Sequence, residues 1–256
     1  PAGTAAPAPP QPRYRTLLRG EPLPDEIIDA HGHLGVLGMW VLESNDFDVQ
    51  ATRYLRTMDR LGVRLALVSG EEALFTEPLA GNAYLRERCR PYGDRFRGYY
   101  GFNPHFADTL TPRLDEFFQD PFFVGFKLLC DYWRVPVTDP RFTPVWDYAN
   151  AHHLPLLLHT WNGPYDDPAM LAEIAPAYPQ ASFLLGHSGG SDRRSAEALA
   201  QANPNVYLEW CGSFCTPQRW EETLARVDPR QVVYGSDGIF HDPAWELGRL
   251  LSVDVP

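Results

Sequence analysis

The chain has 256 residues, 44% hydrophobic and 13% aromatic, with a formal net charge of −11. That size fits one barrel-sized domain with a large core, and the negative charge argues against a nucleic-acid or anionic-membrane surface. No apolar run approaches the length of a membrane span. The four cysteines, Cys89, Cys130, Cys211 and Cys215, show no Cys-x-x-Cys spacing and read as reduced thiols of a cytoplasmic protein. The expected partners are a small-molecule substrate and, at most, a second copy in a homodimer, with no nucleic acid and no membrane.

The chain opens with PAGTAAPAPPQP, an Ala/Pro-rich stretch that cannot fold alone, so residues 1–20 are read as a flexible arm. Residues 21–256 are read as a catalytic barrel domain, expected to be truncated at the C-terminus because the sequence stops about twenty residues after Asp237. Eight short apolar runs follow one another. They are Ile27–His31, Leu65–Ser69, Gly98–Phe102, Phe123–Leu128, Leu154–His159, Ser182–His187, Val206–Glu209 and Val232–Asp237. Each is too continuously apolar for a one-faced sheet and reads as a buried strand.

Helix-length amphipathic segments lie between the runs. The clearest is 49–61, with Asp48 as its expected N-cap and Tyr54, Leu55, Met58 and Leu61 on one face. Others are expected near 81–90, 109–119, 142–152, 168–178, 192–202, 217–227 and 243–251, several with a proline near the start, where proline is tolerated. Eight strand–helix alternations predict a (β/α)8 barrel, a TIM-type α/β fold. A doubly wound sheet lacks support, because no Gly-rich phosphate loop follows the first strand.

The chemistry-bearing residues fall at strand C-termini, where a barrel builds its active site. The first run ends in His31-Gly32-His33, and residues two apart on a strand face the same way. Later runs end in Lys127, His159, His187 and Asp237. Neutral imidazoles and a carboxylate suit a borderline divalent ion such as zinc. Lys127 is the only lysine, against 21 arginines. A desolvated amine can lose its proton, form a Schiff base or take up carbon dioxide as a carbamate, whereas a guanidinium stays protonated. Among secondary candidates, Asp29 shares the face of His31 and either orients an imidazole or caps loop amides. Trp40, Phe102, Trp133, Trp161 and Trp210 lie just past strand ends and suggest an aromatic-walled pocket, which His241 and Asp242 also approach. His105 reads as surface, and His152 and His153 as the end of a helix. Arg193 and Arg194 read as solvated, or as a grip for a substrate carboxylate. Neither Cys130 nor Cys211 shows a base paired with it as a nucleophile would need.

The motifs IIDAHGH, VGFKL, PLLLHT, FLLGHSGG and VVYGSD, in this order over roughly residues 25–251, resemble the amidohydrolase superfamily. The likeness is to its "amidohydrolase 2" branch of metal-dependent hydrolases and decarboxylases. The resemblance implies that His31, His33 and Asp237 hold a buried metal. It implies that His159 and His187 hold a second metal or a substrate oxygen. In two-metal members the position of Lys127 is a carbamate bridging the ions; in one-metal members Lys127 would be a cation for the substrate. Asp237 would serve as general base toward a metal-activated water, and His187 would stabilise developing negative charge. Trp40, Phe102, Trp161 and His241 are the expected substrate contacts. The leading expectation is a hydrolase of a small-molecule amide, lactone or ester, using one or two zinc ions. A decarboxylase of an aromatic or unsaturated acid and a non-catalytic metal-binding barrel are the alternatives.

Overall fold

The computed structural model describes residues 12–36, 44–190, 193–212 and 216–253. Eight strands form one sheet in sequence order. They are β1 (Ile27–Leu34), β2 (Val63–Gly70), β3 (Phe96–Gly101), β4 (Phe123–Leu128), β5 (Pro155–His159), β6 (Ser182–Gly186), β7 (Val206–Glu209) and β8 (Val232–Val233). Every neighbouring pair is parallel. This is the expected (β/α)8 barrel. Among the described residues no helix is long and apolar enough to cross a membrane.

Strand alternation separates floor from mouth. Ala30, Tyr99, Leu157 and Leu184 form a small apolar plug, joined by Leu67, Tyr207 and Val233. Two residues on from Leu157 and Tyr207, with the same facing, come His159 and Glu209. The sequence is thus apolar at depth and polar at the strand ends. Outside the sheet a second, larger core packs the helices against the strands.

Five differences from expectation have identifiable physical causes. Residues 12–18, expected in the flexible arm, form helix α1 (Pro12–Leu18); Leu17 packs on the core and Arg13 pairs with Asp25. Helix α2 (Phe47–Leu61) is capped by Asp46, not Asp48: the Asp46 carboxylate accepts from the Asp48 and Val49 amides at 2.9 and 3.1 Å. Asp48 sits in the first turn and pairs with Arg88. The helix expected over 109–119 is broken into Ala107–Leu110, a turn Thr111–Arg113 and Leu114–Phe118, because Pro112 lacks an amide hydrogen. The one expected over 168–178 is likewise reduced to a turn, Pro168–Leu171, and Ile174–Ala177 around Pro176.

The fifth difference matters for the site. Regular β8 ends at Val233, four residues before Asp237. From there the chain closes the barrel on β1 through an irregular seam. Ala30 donates to Tyr234, and both Ser236 and Asp237 donate to the His31 carbonyl. A single parallel bridge joins Gly32 to Gly238. Asp29, fully buried, pins this seam: its Oδ1 accepts from the Ser236 and His31 amides, at 2.9 and 3.2 Å, and its Oδ2 from the Tyr54 hydroxyl at 2.7 Å. Asp29 therefore caps amides and does not touch an imidazole ring. Asp29→Ala removes the acceptor of the His31 amide and leaves the Ser236 amide and the Tyr54 hydroxyl only their longer contacts, to the His31 carbonyl and to Ser236 Oγ. We expect a loss of about 3 kcal/mol in urea unfolding, and a smaller loss for Asp29→Asn. A loss below about 1 kcal/mol for Asp29→Ala would show that the seam is held by something else.

Candidate metal centre

His31 and His33 both point into the barrel mouth, the first within and the second just after a register shift that puts one extra residue into β1 between Asp29 and Gly32. Their Nε2 atoms lie 3.1 Å apart. Asp237 Oδ1 is 3.4 Å from His31 Nε2 and 3.3 Å from His33 Nε2. The other ring nitrogens are taken by buried carboxylates: His31 Nδ1 faces Glu209 Oε2 at 3.0 Å, and His33 Nδ1 faces Glu71 Oε1 at 2.5 Å. Those partners place the ring hydrogens on Nδ1 and the lone pairs on Nε2. Gly235 makes room for the arrangement, since a Cβ there would overlap the Glu209 carboxylate and the His31 side chain.

Two imidazole lone pairs and a carboxylate oxygen thus converge on one point. That set repels itself unless a proton or a cation lies between its members. In a tetrahedral site with ligand bonds of about 2.0–2.1 Å, ligand atoms sit about 3.3–3.4 Å apart. The separations of 3.1–3.4 Å here match, so the donor set fits a divalent ion.

Lys127, fully buried, completes the ring of groups: its Nζ is 2.6 Å from His31 Nε2. Burial lowers its pKa, against the opposing pull of Asp237 and other anions. His187 follows β6 in a left-handed backbone conformation, with φ 62°. Burial lowers its pKa to about 4. Burial also lowers His31 well below its usual value, reinforced by Lys127. For His33 burial acts the same way but is outweighed by Glu71 and Asp237, so its pKa is raised. For Asp237 burial would raise the pKa; His31, His33 and His187 outweigh it and hold the carboxyl well below the usual range.

One cavity of about 50 Å³ is lined by His31, His33, Lys127, His159, His187 and Asp237, together with Glu71, Phe75, Leu129, Tyr132 and Phe240. All six expected metal-site residues therefore meet. The expected substrate contacts divide. Trp161 stands at the rim, 38% exposed, stacked on His159 with centroids 5.6 Å apart. Phe102 is a correction: it is fully buried in the helix-facing core and does not line the cavity, because strand alternation turns it outward. His241 lines a neighbouring cavity of about 290 Å³, with Nε2 3.5 Å from Asp237 Oδ2. Trp40 and Cys215 lie outside the described residues.

Among the secondary candidates, Arg193 is buried with its guanidinium over Trp210 at 4.1 Å, not solvated. His105 is exposed and meets the Trp133 carbonyl at 3.0 Å. His153 takes the left-handed position that ends its helix.

Sequence reasoning missed Glu71 and Glu209. Both carried a signal: each continues the inward-facing parity of its strand past the apolar run. If these carboxylates orient the imidazoles, Glu71→Ala and Glu209→Ala should each weaken divalent-metal affinity about 10–100-fold in a chelator competition. Far-ultraviolet circular dichroism should be unchanged. Unaltered affinity in both variants would remove them from that role.

A family model described as Amidohydrolase matches residues 28–256. Protein fluG of Emericella nidulans is 32% identical over 108 residues, 37% of this chain and 12% of that protein. The crystal structure of a dihydroxybenzoic acid decarboxylase from Polaromonas sp. JS666, with bound manganese and the inhibitor 2-nitroresorcinol, is similar with a TM-score of 0.65 and 16% identity. The match covers 91% of this chain and 92% of that one. A probable 2-pyrone-4,6-dicarboxylic acid hydrolase from Acinetobacter baumannii, with citric acid bound, gives a TM-score of 0.61 at 14% identity, covering 88% and 90%.

Proposed function

This chain belongs to the amidohydrolase family, and from that premise we propose a metal-dependent hydrolase of a small-molecule C–N or C–O bond, an amide, lactone or ester. The observation that carries the reading is the convergence of His31 Nε2, His33 Nε2 and Asp237 Oδ1 within 3.1–3.4 Å of one another. These three residues would hold the ion. We infer zinc from the imidazole-rich donors; manganese is the ion in the Polaromonas structure. When bound, the ion supplies Lewis acidity toward a substrate oxygen and acidifies water.

The chain's own residues divide the remaining work. Asp237 turns Oδ1 toward the two imidazoles and Oδ2 toward His241. Its carboxyl is held ionised, so it can take a proton and return it to the leaving group. His241 stands 3.5 Å from Oδ2 and would keep that oxygen oriented while the proton is carried. Lys127 and His187 face the cavity and are placed to steady negative charge on the substrate oxygen. His159, sandwiched between the edge of Tyr132 and the face of Trp161, guides the substrate at the rim. With a second ion, His159 and His187 would hold it and Lys127 would bridge as a carbamate.

Decarboxylation of an aromatic acid is the second reading. It is favoured by the aromatic approach to the cavity, built from Phe75, Tyr132 and Phe240 with Trp161 at the rim. In that reaction Asp237 would first take a proton from the substrate's hydroxyl or from water and then pass it to the ring carbon as carbon dioxide leaves. Against it, no arginine lines the cavity among the described residues to grip a carboxylate.

A panel of amides, lactones, esters and hydroxybenzoates, assayed for hydrolysis products and for released carbon dioxide, separates the two. Chelation should abolish turnover and added metal should restore it. Asp237→Asn should lower kcat by about 10²–10⁴-fold, and His31→Ala should lose bound metal. Lys127→Arg should abolish a carbamate-dependent activity but spare one that needs only a cation. Purified protein that neither carries nor accepts a stoichiometric ion would refute the reading.

A further inference from the structure

Three cysteines are described, and they differ in their surroundings. Cys89 and Cys130 pack within the apolar core. Cys211 is as deeply buried, yet it belongs to neither apolar cluster. Its Sγ lies 3.2 Å from His187 Nδ1, 3.2 Å from Glu209 Oε2 and 3.4 Å from His31 Nδ1. His31, His187, Cys211 and Asp237 each offer a ligand atom, and these atoms all lie within 4.8 Å of one another.

A second observation concerns the space beside this thiol. Gly212, with φ 94°, leaves its side-chain position open. Among the described residues a Cβ there would meet only His187 Nδ1, at 3.3 Å. Behind Gly212 stands Glu246, 2% exposed. One of its oxygens accepts from the Gly212 amide at 3.3 Å and from Arg249 at 3.1 Å, and among the described residues the other has no hydrogen-bond partner.

We infer that Cys211 Sγ and His187 Nδ1 hold a second divalent ion of the thiophilic zinc or cobalt(II) class, beside the ion of His31, His33 and Asp237. This deepens the metal-dependent reading and rests on it. A sulfur ligand at about 2.3 Å and a nitrogen ligand at about 2.0–2.1 Å of one tetrahedral ion are about 3.5 Å apart. The observed 3.2 Å needs a shift of a few tenths of an ångström. Asp237 lies within reach of both positions. On binding, the S–H bond breaks, the sulfur–metal bond forms and the proton leaves to solvent. Thiolate and imidazole together favour zinc or cobalt over manganese or magnesium. The assignment differs from a carbamate-bridged pair, because the sulfur comes from the end of β7 and Lys127 is not a ligand.

Zinc-loaded wild-type protein should contain two ions per chain by elemental analysis. X-ray absorption at the zinc edge should show a sulfur neighbour at about 2.3 Å in addition to nitrogen and oxygen. Cobalt loading should give a near-ultraviolet sulfur-to-cobalt charge-transfer band. Cys211→Ser should lose the sulfur signal and one of the two ions; His31→Ala should lose the other ion and keep the sulfur signal. One ion without sulfur, or two ions without sulfur, overturns the Cys211 assignment and leaves the first site standing. A sulfur signal that survives Cys211→Ser overturns it too. No bound ion overturns both readings. The wild-type spectra decide the question even if Cys211→Ser misfolds.

Discussion

Two lone pairs and a carboxylate oxygen, aimed at one another across a little over 3 Å, are the constraint around which this barrel is arranged. Left alone, imidazole rings would rotate and Asp237 would swing toward solvent. Each is prevented by a buried partner. Glu209 and Glu71 lock the rings by their far nitrogens. Asp29, through the Ser236 amide, sets the turn that presents Asp237. Beneath them the Tyr99 hydroxyl donates to the Ala30 carbonyl at 3.0 Å, tying the apolar plug to the strand that carries both histidines. Preorganisation of this kind places the cost of gathering like groups in folding rather than in binding.

Local backbone strain collects at the same place. Asp237, His187 and Ser188 all adopt positive φ without being glycine, which costs free energy unless the surroundings enforce it. They do. The Ser188 hydroxyl donates to the Glu209 carbonyl at 2.7 Å, and the His187 amide donates to the Glu209 carboxylate at 3.1 Å. The Gly189 amide donates to Thr160 Oγ1 at 2.8 Å, and that hydroxyl in turn donates to the Gly186 carbonyl. Glu209 is the common member. One buried carboxylate orients His31, fixes the His187 turn and accepts from the Cys211 thiol.

What the sequence made legible follows from periodicity. The strands are continuous apolar runs, so the barrel and the six residues at its mouth could be located from pattern and spacing. Asp237 could be assigned to the mouth but not to its turn, because the seam between Tyr234 and Gly238 is set by tertiary hydrogen bonds to β1 rather than by local propensity. Phe102 went astray for a related reason. A residue just past a strand end lies near the mouth in sequence, but its facing follows parity, and parity turned Phe102 into the core. Glu71 and Glu209 obey parity and would have been found by extending it past the last apolar residue. Cys211 continues the parity of Glu209, but a lone cysteine reads the same in a core as in a cluster of polar atoms. Only its neighbours distinguish it.

Those neighbours bear on Lys127 through charge. Asp237, Glu71 and Glu209 bring three carboxyl groups around the centre, and Lys127 is the one fixed amine facing them. With the carboxyl groups ionised and solvent left aside, a single divalent ion and an ammonium Lys127 balance the three. Adding a second ion leaves an excess of positive charge that a buried site tolerates poorly. A Cys211 thiolate together with a neutral Lys127 amine removes that excess. A Lys127 carbamate removes it as well, and then Cys211 has to stay a thiol donating to Glu209. Thiolate and carbamate together would leave the site negative. If a second ion binds, they are therefore electrostatic substitutes for one another, and the ligand set on the β7 side of the mouth would decide what the chain's only lysine becomes.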